Sequence, residues 1–401
     1  MSSQDLELDS TSLESILNEL FTGNSAKVTS SKRLDPGLGY LSLIYSVTVQ
    51  WPVGSGDRPE RLVIKVPSFA KLVKQYSGIN DQVDDGKAEI IKYLILRGHK
   101  MECQIYDYLW QNNNNNNSNS NSNSNSFPAP PIPKVYGHRA LSEQVTSGYL
   151  VMEDWSNLAR PADICTGLNL EQTLATAKAL ARVQAYSLCN RQWLNLTEPY
   201  PDEIVGGFCD TFKRSVAYFV QTFPDIFPFP QELLDEFSDP KHWLPALGSA
   251  AFEACKTEPW AVLCHGDLWP HNLMFSTSDS DSLVGILDWQ LCSPGVPATD
   301  LSRVLVSSMS AEDRRTNEPI VLRTYFQELE RVMASCDKPL PFTLETVLQL
   351  YPEALKLAVF SCAIDYAAML QGDLAGIAED VKRKLVLRLT GALEDVLKDV
   401  S

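Results

Sequence analysis

A stretch of the sequence at residues 262–290 constrains the fold more than any other, because polar side chains there follow short apolar runs. The run 261–264 is typical of a short buried strand, and Asp267 comes directly after it within a His-Gly-Asp triplet. Asn272 follows Asp267 at a spacing of five and opens a second apolar run. A polar turn then leads to a third apolar run, which ends in Asp288. The pattern predicts two carboxylates and an amide at the ends of adjacent short strands, in a hairpin-like arrangement.

This set of side chains suits phosphoryl transfer. Asp267 can orient a substrate hydroxyl and take its proton. Asn272 and Asp288 can supply hard oxygen ligands for Mg²⁺ on the phosphates of ATP. The alternative is a β-hairpin whose surface carboxylates cap turns. Several polar residues at fixed spacing, in a matching strand context, favour the catalytic interpretation.

The order H-x-D-x-x-x-x-N followed by a strand-terminal Asp is the pattern of protein kinases and their small-molecule relatives. Gly266 stands where protein kinases carry Arg, which indicates a kinase that a phosphorylated activation loop does not switch. HGDLW-x-x-N-x-x-F together with DWQ at 288–290 closely resembles the ecdysteroid kinase-like family, also called CHK kinase-like. That family belongs to the aminoglycoside phosphotransferase and choline kinase superfamily. The resemblance covers roughly residues 30–370.

The resemblance implies an α+β, bilobal protein-kinase-like fold, with a small antiparallel β-sheet lobe and a larger, mainly helical lobe. We expect an N-terminal helix within residues 1–25, packed on a small ATP-binding lobe at 26–153, and a catalytic and acceptor-binding lobe at 154–401. The implied reaction transfers the γ-phosphoryl group of ATP to a hydroxyl of a small molecule. The family name makes an ecdysteroid or related steroid alcohol the leading candidate for the acceptor.

Two predicted strands at 27–33 and 40–51 are joined by a turn that contains Gly37 and Gly39. Backbone N–H groups of such a turn can approach nucleotide phosphates closely, although an ordinary hairpin turn carries the same residues. The resemblance places the nucleotide loop here, so we include Gly37, Gly39 and Ser42 among the ATP-binding candidates.

Lys65 is one inward lysine in a predicted strand at 61–67. In kinases, a lysine on the third strand reaches the α- and β-phosphates and is oriented by a carboxylate on a helix. A lysine in an apolar strand can also snorkel to the surface, but its place after the glycine turn favours the kinase role. On the helix predicted at 88–110, Glu102 is the preferred partner, and Glu89, in more loop-like surroundings, is the rival.

An apolar strand at 148–152 leads into the hinge that the resemblance implies, where backbone groups of Met152 and Asp154 hold adenine. Upstream, residues 111–126 are Asn and Ser apart from the first. Such a tract cannot bury apolar surface, so we predict a solvated, disordered loop inserted in the small lobe.

Further residues are expected to support the catalytic segment. We include His265 with the catalytic residues as a hydrogen-bonded scaffold. Residues 293–302 are predicted to form a turn that caps a helix, and Asp300 within them resembles the family's P-x-x-D-L aspartate. A structural cap, or a tie to the catalytic loop, is its expected role. Asn169 and Gln172 predict a capping box at the start of a long helix.

Composition restricts the partners. The chain has 34 basic and 50 acidic residues, and its net charge of −16 argues against nucleic acid or an anionic membrane. The most apolar late stretch, 355–370, contains Lys356 and Asp365, so no transmembrane helix is expected. Nine cysteines without metal-like spacing indicate reduced thiols and a cytoplasmic protein. No obligate protein partner is evident.

Two other functions remain open. A choline- or aminoglycoside-type kinase would use the same machinery on a cationic alcohol, and it would need an acidic or aromatic acceptor site. A catalytically silent binding protein of the same fold is the second alternative. Intact Lys65, Asp267, Asn272 and Asp288 argue against that alternative.

Overall fold

The computed structural model describes residues 8–22, 25–34, 42–54, 56–68, 85–118 and 127–398. The chain divides into two compact units. The first comprises Met1–Trp110 and Ile132–Leu158, and the second comprises Gln111–Pro131 and Ala159–Ser401.

A five-stranded antiparallel sheet forms the centre of the first unit, in the order β1-β2-β3-β5-β4. Its strands and helices follow the apolar patterns of the sequence closely. They are α1 (Ser10–Leu20), β1 (Lys27–Arg33), β2 (Ser42–Gln50), β3 (Arg61–Pro67), α2 (Asp85–Ser118), β4 (Val135–Arg139) and β5 (Tyr149–Glu153).

The alternation of side chains along β3 separates a core from a polar site. Leu62 and Ile64 are fully buried in a cluster with Leu13 and Leu17 of α1. Because successive side chains of a strand point to opposite faces, Lys65 lies on the other face of the sheet. It pairs in register with Ile44 of β2 and Leu150 of β5, and it is buried.

Helix α2 extends further than the sequence predicts. Its backbone continues to Ser118, through the first part of the Asn/Ser tract at 111–126. The prediction that the whole tract is an irregular loop is therefore wrong for residues up to 118, and the rest of the tract lies outside the described residues. Once a helix has formed, each added residue gains one backbone hydrogen bond, so even weak helix formers can prolong it.

The second unit is mainly helical. Its long helices enclose small sheets that carry the candidate catalytic segment. The elements are β6 (Ala159–Pro161), α3 (Leu170–Cys189), α4 (Asp202–Thr222), α5 (Gln231–Phe237), α6 (Pro240–Leu247), α7 (Ser249–Thr257), β7 (Val262–Cys264), β8 (Leu273–Ser276), β9 (Leu283–Ile286), β10 (Ser293–Gly295), α8 (Thr299–Ser308), α9 (Ala311–Ser335), α10 (Leu344–Gln371) and α11 (Glu379–Lys398).

Strands β8 and β9 pair antiparallel, as the hairpin-like pattern predicts. Strand β7, however, pairs with β10, so the prediction that it is adjacent to the hairpin strands is wrong. Residues 293–295, expected in a turn, supply this partner because a 3₁₀ turn at Trp289–Leu291 brings the chain back beside β7. Pro294 is tolerated in so short an edge strand.

One helix within the described ranges, α10, is long and apolar enough to cross a membrane. Half of its most apolar window is buried inside the structure, and the core helix of a soluble protein meets the same criterion. Phe360 of α10 stacks on Phe212 with ring centroids 4.9 Å apart and contacts Trp243 at 4.2 Å. This packing is that of a core helix.

The capping box at the start of α3 provides a test of the local sequence signals. The side chain of Asn169 accepts a hydrogen bond from the backbone of Gln172, and the Gln172 side chain accepts one from the backbone of Asn169. We expect Asn169→Ala to lower the free energy of unfolding by about 1 kcal/mol. Asn169→Ser keeps a capping oxygen and should lower it by less. Equal losses for both variants in urea titrations would contradict a capping role.

Candidate active site

The loop after β7 is fixed by the ring of His265, which is fully buried. Its Nε2 donates to the carbonyl oxygen of Leu287 at 2.8 Å, and its Nδ1 accepts the backbone N–H of Asp267 at 3.2 Å. These two bonds require the neutral tautomer with hydrogen on Nε2. His265 therefore connects the end of β9 to the loop that carries Asp267, which is the geometry of a scaffold.

Gly266 adopts a backbone conformation that side chains disfavour, with φ of 82°. A Cβ atom here would lie 2.2 Å from the carbonyl oxygen of Leu291. Glycine is therefore required by the path of the loop.

Asp300, in the first turn of α8, holds the same loop from the other side. Its carboxylate accepts the backbone N–H groups of His265 at 2.9 Å and Gly266 at 3.0 Å. The carboxyl group is almost completely buried, and burial raises its pKa to about 6, against the opposing effect of the two N–H donors. The expected tie between Asp300 and the catalytic loop is thus present.

The carboxylate of Asp267 lies between an amide and a guanidinium group. Asn272 Nδ2 donates to its backbone oxygen at 2.8 Å and faces its carboxylate Oδ2 at 3.4 Å. Arg303 Nη2 lies 3.5 Å from the other carboxylate oxygen. The side chain is 22% exposed. Burial raises the pKa of Asp267 to about 7; Arg303 opposes this, whereas the charges of Asp365 and Asp288 add to it.

Asp288 begins the turn after β9 in the left-handed region, with φ of 67° and ψ of 61°. Such a conformation is uncommon for a residue other than glycine, and it often marks a functional position. The conformation sets the direction in which the chain and the Asp288 side chain leave β9, and the group is close enough to influence the pKa of Asp267.

The donor set fits a nucleotide-bound Mg²⁺ better than a protein-enclosed metal. Within the ranges the structure describes, no group of three or more His, Cys, Asp or Glu side chains could hold a metal ion. Mg²⁺ in kinases is held by one or two protein groups together with phosphates. Asn272 turns its amide nitrogen to Asp267, so its amide oxygen points elsewhere. That oxygen and the Asp288 carboxylate are the ligand types that Mg²⁺ prefers.

In the first unit, the structure brings Lys65 and Glu102 together. Lys65 Nζ donates to Glu102 Oε1 at 2.8 Å, and both side chains are buried. The rival Glu89 is 74% exposed and lies 3.7 Å from Lys92. The geometry therefore favours Glu102 over Glu89 as the partner of Lys65.

The remaining nucleotide candidates have different positions. Gly37 and Gly39 lie outside the described residues. Ser42 begins β2, and Met152 pairs with Val63 inside the sheet; both are buried. The nucleotide-binding roles of these residues stay predictions.

The Asp154 side chain is fully buried and is occupied by structural bonds. It accepts hydrogen bonds from Ser46 at 2.6 Å, from Arg61 at 2.9 Å and from the backbone of Ser156 at 2.8 Å. Burial alone would raise the pKa of Asp154, but these hydrogen bonds hold it below its ordinary value. The side chain thus fixes the segment after β5 to β2 and β3.

Sequence reasoning missed two residues beside Asp267. Arg303 and Asp365 lie on α8 and α10, and the Arg303 guanidinium contacts the carboxylates of Asp365 and Asp267. A signal was present for Asp365, which is the one charged residue of the largely apolar run 357–370. Such residues are almost never fully buried unless they are paired.

The family model described as "Uncharacterized oxidoreductase dhs-27" (DUF1679) matches residues 18–400. Two proteins of Caenorhabditis elegans are each 25% identical to the chain over 228 residues, or 55% of its length. They are "Uncharacterized oxidoreductase dhs-27", of which 27% is covered, and "Uncharacterized kinase-like protein D1044.1", of which 56% is covered. The match thus spans about a quarter of the first relative and just over half of the second.

Among solved structures, choline kinase from Cryptosporidium parvum is similar, with a TM-score of 0.51 at 11% identity. The similarity covers 98% of this chain and 96% of that one. At such low identity the likeness shows the fold alone. The expected α+β, kinase-like architecture, with a small antiparallel sheet and a mainly helical part, is confirmed.

The burial of the Lys65–Glu102 pair predicts a stability effect as well as a functional one. Glu102→Ala leaves a buried lysine without its 2.8 Å partner, which we expect to lower the free energy of unfolding by about 3–5 kcal/mol. The double variant Lys65→Met/Glu102→Leu removes both charges and should recover most of the loss. Urea titrations measure both quantities. A double variant as unstable as Glu102→Ala would contradict this account.

The raised pKa of Asp300 predicts how stability depends on pH. The folded protein binds this proton more tightly, with a pKa of about 6, than a carboxyl group at its ordinary value of 3.8. The stabilisation from this group is therefore present at low pH and is lost as pH rises through 6. Relative to Asp300→Asn, which does not titrate, the wild type should lose about 2 kcal/mol between pH 4 and pH 7.

Urea titrations of both proteins across this range measure the difference. Asp281→Asn, at an exposed position in the β8–β9 turn, serves as the control and should show no comparable trend relative to the wild type. A difference that stays constant with pH would mean that the two N–H donors balance burial, and a difference that grows with pH would mean that they outweigh it.

Proposed function

The chain belongs to the DUF1679 family, whose model is described as "Uncharacterized oxidoreductase dhs-27", and we propose that it is an ATP-dependent phosphotransferase with a small-molecule alcohol as acceptor. The observation that carries the proposal is the arrangement around Asp267. Asn272 is hydrogen-bonded to this residue, and Asp288 follows the adjacent hairpin in a left-handed conformation.

Asp267 is the proposed base. Its carboxylate is held by contacts at the long limit of hydrogen bonding, 3.4 Å to Asn272 and 3.5 Å to Arg303. Lone pairs therefore stay available for a substrate hydroxyl. Burial raises the pKa of Asp267 above its ordinary value, and a raised pKa suits a carboxylate that accepts a proton. In this role, Asp267 orients the acceptor hydroxyl toward the phosphoryl group and accepts its proton.

Asn272 and Asp288 are the residues that would hold Mg²⁺. When bound, the ion neutralises charge on the phosphates and orients them for in-line transfer. The contribution of the chain is to keep the two ligands fixed. The 2.8 Å bond between Asn272 and the backbone of Asp267 couples the metal ligand to the base.

In the first unit, Lys65 is proposed to bind the α- and β-phosphates of ATP, with Glu102 holding its ammonium group in place. The backbones of Gly37 and Gly39 and the hydroxyl of Ser42 are proposed to bind phosphate. Backbone groups from Met152 to Asp154 are proposed to bind adenine. The burial of the Asp154 side chain supports a backbone role at the hinge, because that side chain already serves Ser46 and Arg61.

An ecdysteroid or related steroid alcohol is the leading candidate for the acceptor, on the resemblance of residues 265–275 and 288–290 to the ecdysteroid kinase-like family. A cationic alcohol of the choline or aminoglycoside type is the alternative, as is a binding protein without catalysis. We also propose a cytoplasmic location, which the nine free cysteines support, and we propose no nucleic-acid, membrane or obligate protein partner.

The family description makes a dehydrogenase the competing enzyme class. A doubly wound dinucleotide-binding domain is built on a mostly parallel sheet. Every strand pair within the described residues is antiparallel. The named oxidoreductase of Caenorhabditis elegans is covered over only 27% of its length. Both observations favour the phosphotransferase.

The test compares wild type, Asp267→Asn and Asp281→Asn with Mg-ATP and a panel of ecdysteroids, other sterols, choline and aminoglycosides. Mass spectrometry detects phosphorylated products. We expect wild type and Asp281→Asn to form the same product, and Asp267→Asn to be slower by about 10²–10⁴-fold, the typical contribution of a general base. Asp281 is the matched control because its carboxylate is exposed.

Other outcomes would redirect the assignment. ATP binding without product from any acceptor would favour the silent binding protein. Failure to bind Mg-ATP would overturn the proposed use of Asp267, Asn272 and Asp288. Reduction of a nicotinamide nucleotide by wild type would support the oxidoreductase description instead.

A further inference from the structure

Arg303 is a buried cation beside the proposed base, with only 6% of its side chain exposed. A buried guanidinium is costly unless its charge and its donors are matched by partners. Arg303 Nη1 donates to the sulfur of Cys362 at 2.7 Å. Its Nη2 donates both to the carboxylate of Asp365 and to Asp267 Oδ1, the latter at 3.5 Å. A single nitrogen atom therefore bridges the two carboxylates.

The two carboxylates share this nitrogen unequally. The contact with Asp365 is much closer than the contact with Asp267. Asp365 is thus the main counter-ion of Arg303, and Asp267 makes only a longer contact with the guanidinium. Asp267 Oδ1 faces Arg303 while its Oδ2 faces Asn272 at 3.4 Å. Asn272 and Arg303 therefore contact opposite oxygens of the Asp267 carboxylate, and both contacts are long.

Asp365 competes with Asp267 for the guanidinium group of Arg303. It lies on α10, whereas Arg303 lies on α8, so the ion pair fixes the guanidinium between two rigid helices. Without Asp365, the nearest carboxylate for the buried cation would be Asp267. A close ion pair there would occupy the oxygen atoms that the acceptor hydroxyl needs.

We propose that Arg303 is a positioning residue that orients the Asp267 carboxylate, and that Asp365 anchors Arg303 at the distance that leaves this carboxylate available to the acceptor. The inference rests on the proposed function, in which Asp267 is the base. It adds two residues that contact Asp267 directly or through one atom and that lie outside the H-x-D-x-x-x-x-N pattern.

Arg303→Lys and Asp365→Asn test the proposal. Lysine keeps the charge but lacks the planar fork that reaches two carboxylates and a thiol together. We expect each variant to lower kcat by about 10- to 100-fold, as small misplacements of catalytic groups do. KM for ATP and the Kd for Mg-ATP should stay within about twofold, because the change affects orientation and not nucleotide binding. The double variant should be no slower than the slower single variant.

Arg314→Lys is the matched control. Arg314 is equally buried and forms ion pairs with Glu318 and Asp395, away from the catalytic loop. We expect it to lower stability while kcat per folded molecule changes by less than about twofold. If Arg303→Lys fails to fold, Asp365→Asn carries the same comparison. Unchanged kcat in the variants, or equal losses in Arg314→Lys, would overturn the positioning role.

Crystal structures of wild type, Arg303→Lys, Asp365→Asn and Arg314→Lys separate this inference from the proposed function. A rotated or displaced Asp267 carboxylate in the first two variants alone would support the positioning role, even if no acceptor is phosphorylated by wild type. An Asp267 that keeps its wild-type position in both variants would overturn the role, even if wild type is an active kinase.

Discussion

The carboxylate of Asp300 is the contact on which the geometry of the candidate site depends. It accepts the N–H groups of His265 and Gly266, two successive backbone donors in the turn after β7. Because the group is buried, the loop is held by hydrogen bonds that water does not reach. There, a change of geometry would leave backbone N–H groups unsatisfied, which is costly.

Helix α8 transmits this constraint from the loop to the rest of the second unit. Its first turn carries Asp300, and one turn later Arg303 reaches the other side of the same loop. At its C-terminal end, the carbonyl oxygen of Ser307 accepts hydrogen bonds from Arg388 and Tyr366. A cation at the carbonyl end of a helix is favourable, so α8 is fixed at both ends, and the groups it presents to Asp267 have little freedom to move.

One side chain that contacts β7 could not be assigned its partners from the sequence. Gln184 is a fully buried polar residue of α3. The structure places Gln184 in the core, where its amide donates to Leu263 of β7 and accepts from Tyr325. Gln184 thus helps to hold the strand that leads to Asp267. Its neighbours in sequence do not predict the contacts with Leu263 and Tyr325.

Local patterns predicted most elements because they depend on neighbours in sequence. An apolar run interrupted by one lysine located β3, and capping residues located the start of α3. Strand pairing and ion pairs depend on residues that are distant from one another in the sequence. The pairing of β7 with β10 and the contact between Arg303 and Asp365 both require knowledge of how distant segments return to one another. Spacing motifs likewise located Asp267 and Asn272, while the groups that orient them come from other helices.

The residues that would select the acceptor are harder to predict from the sequence, for a physical reason. Aromatic residues such as Phe212 and Trp243 could serve an apolar substrate, but both are buried and pack against Phe360 of α10. Their chemistry is therefore used for the core. Selectivity for a steroid or a cation has to reside in groups that stay accessible near Asp267, and accessible side chains are the ones that packing constrains least. The proposed catalytic residues can consequently be located from sequence and fold, whereas the proposed acceptor must be identified by presenting candidate alcohols to the protein.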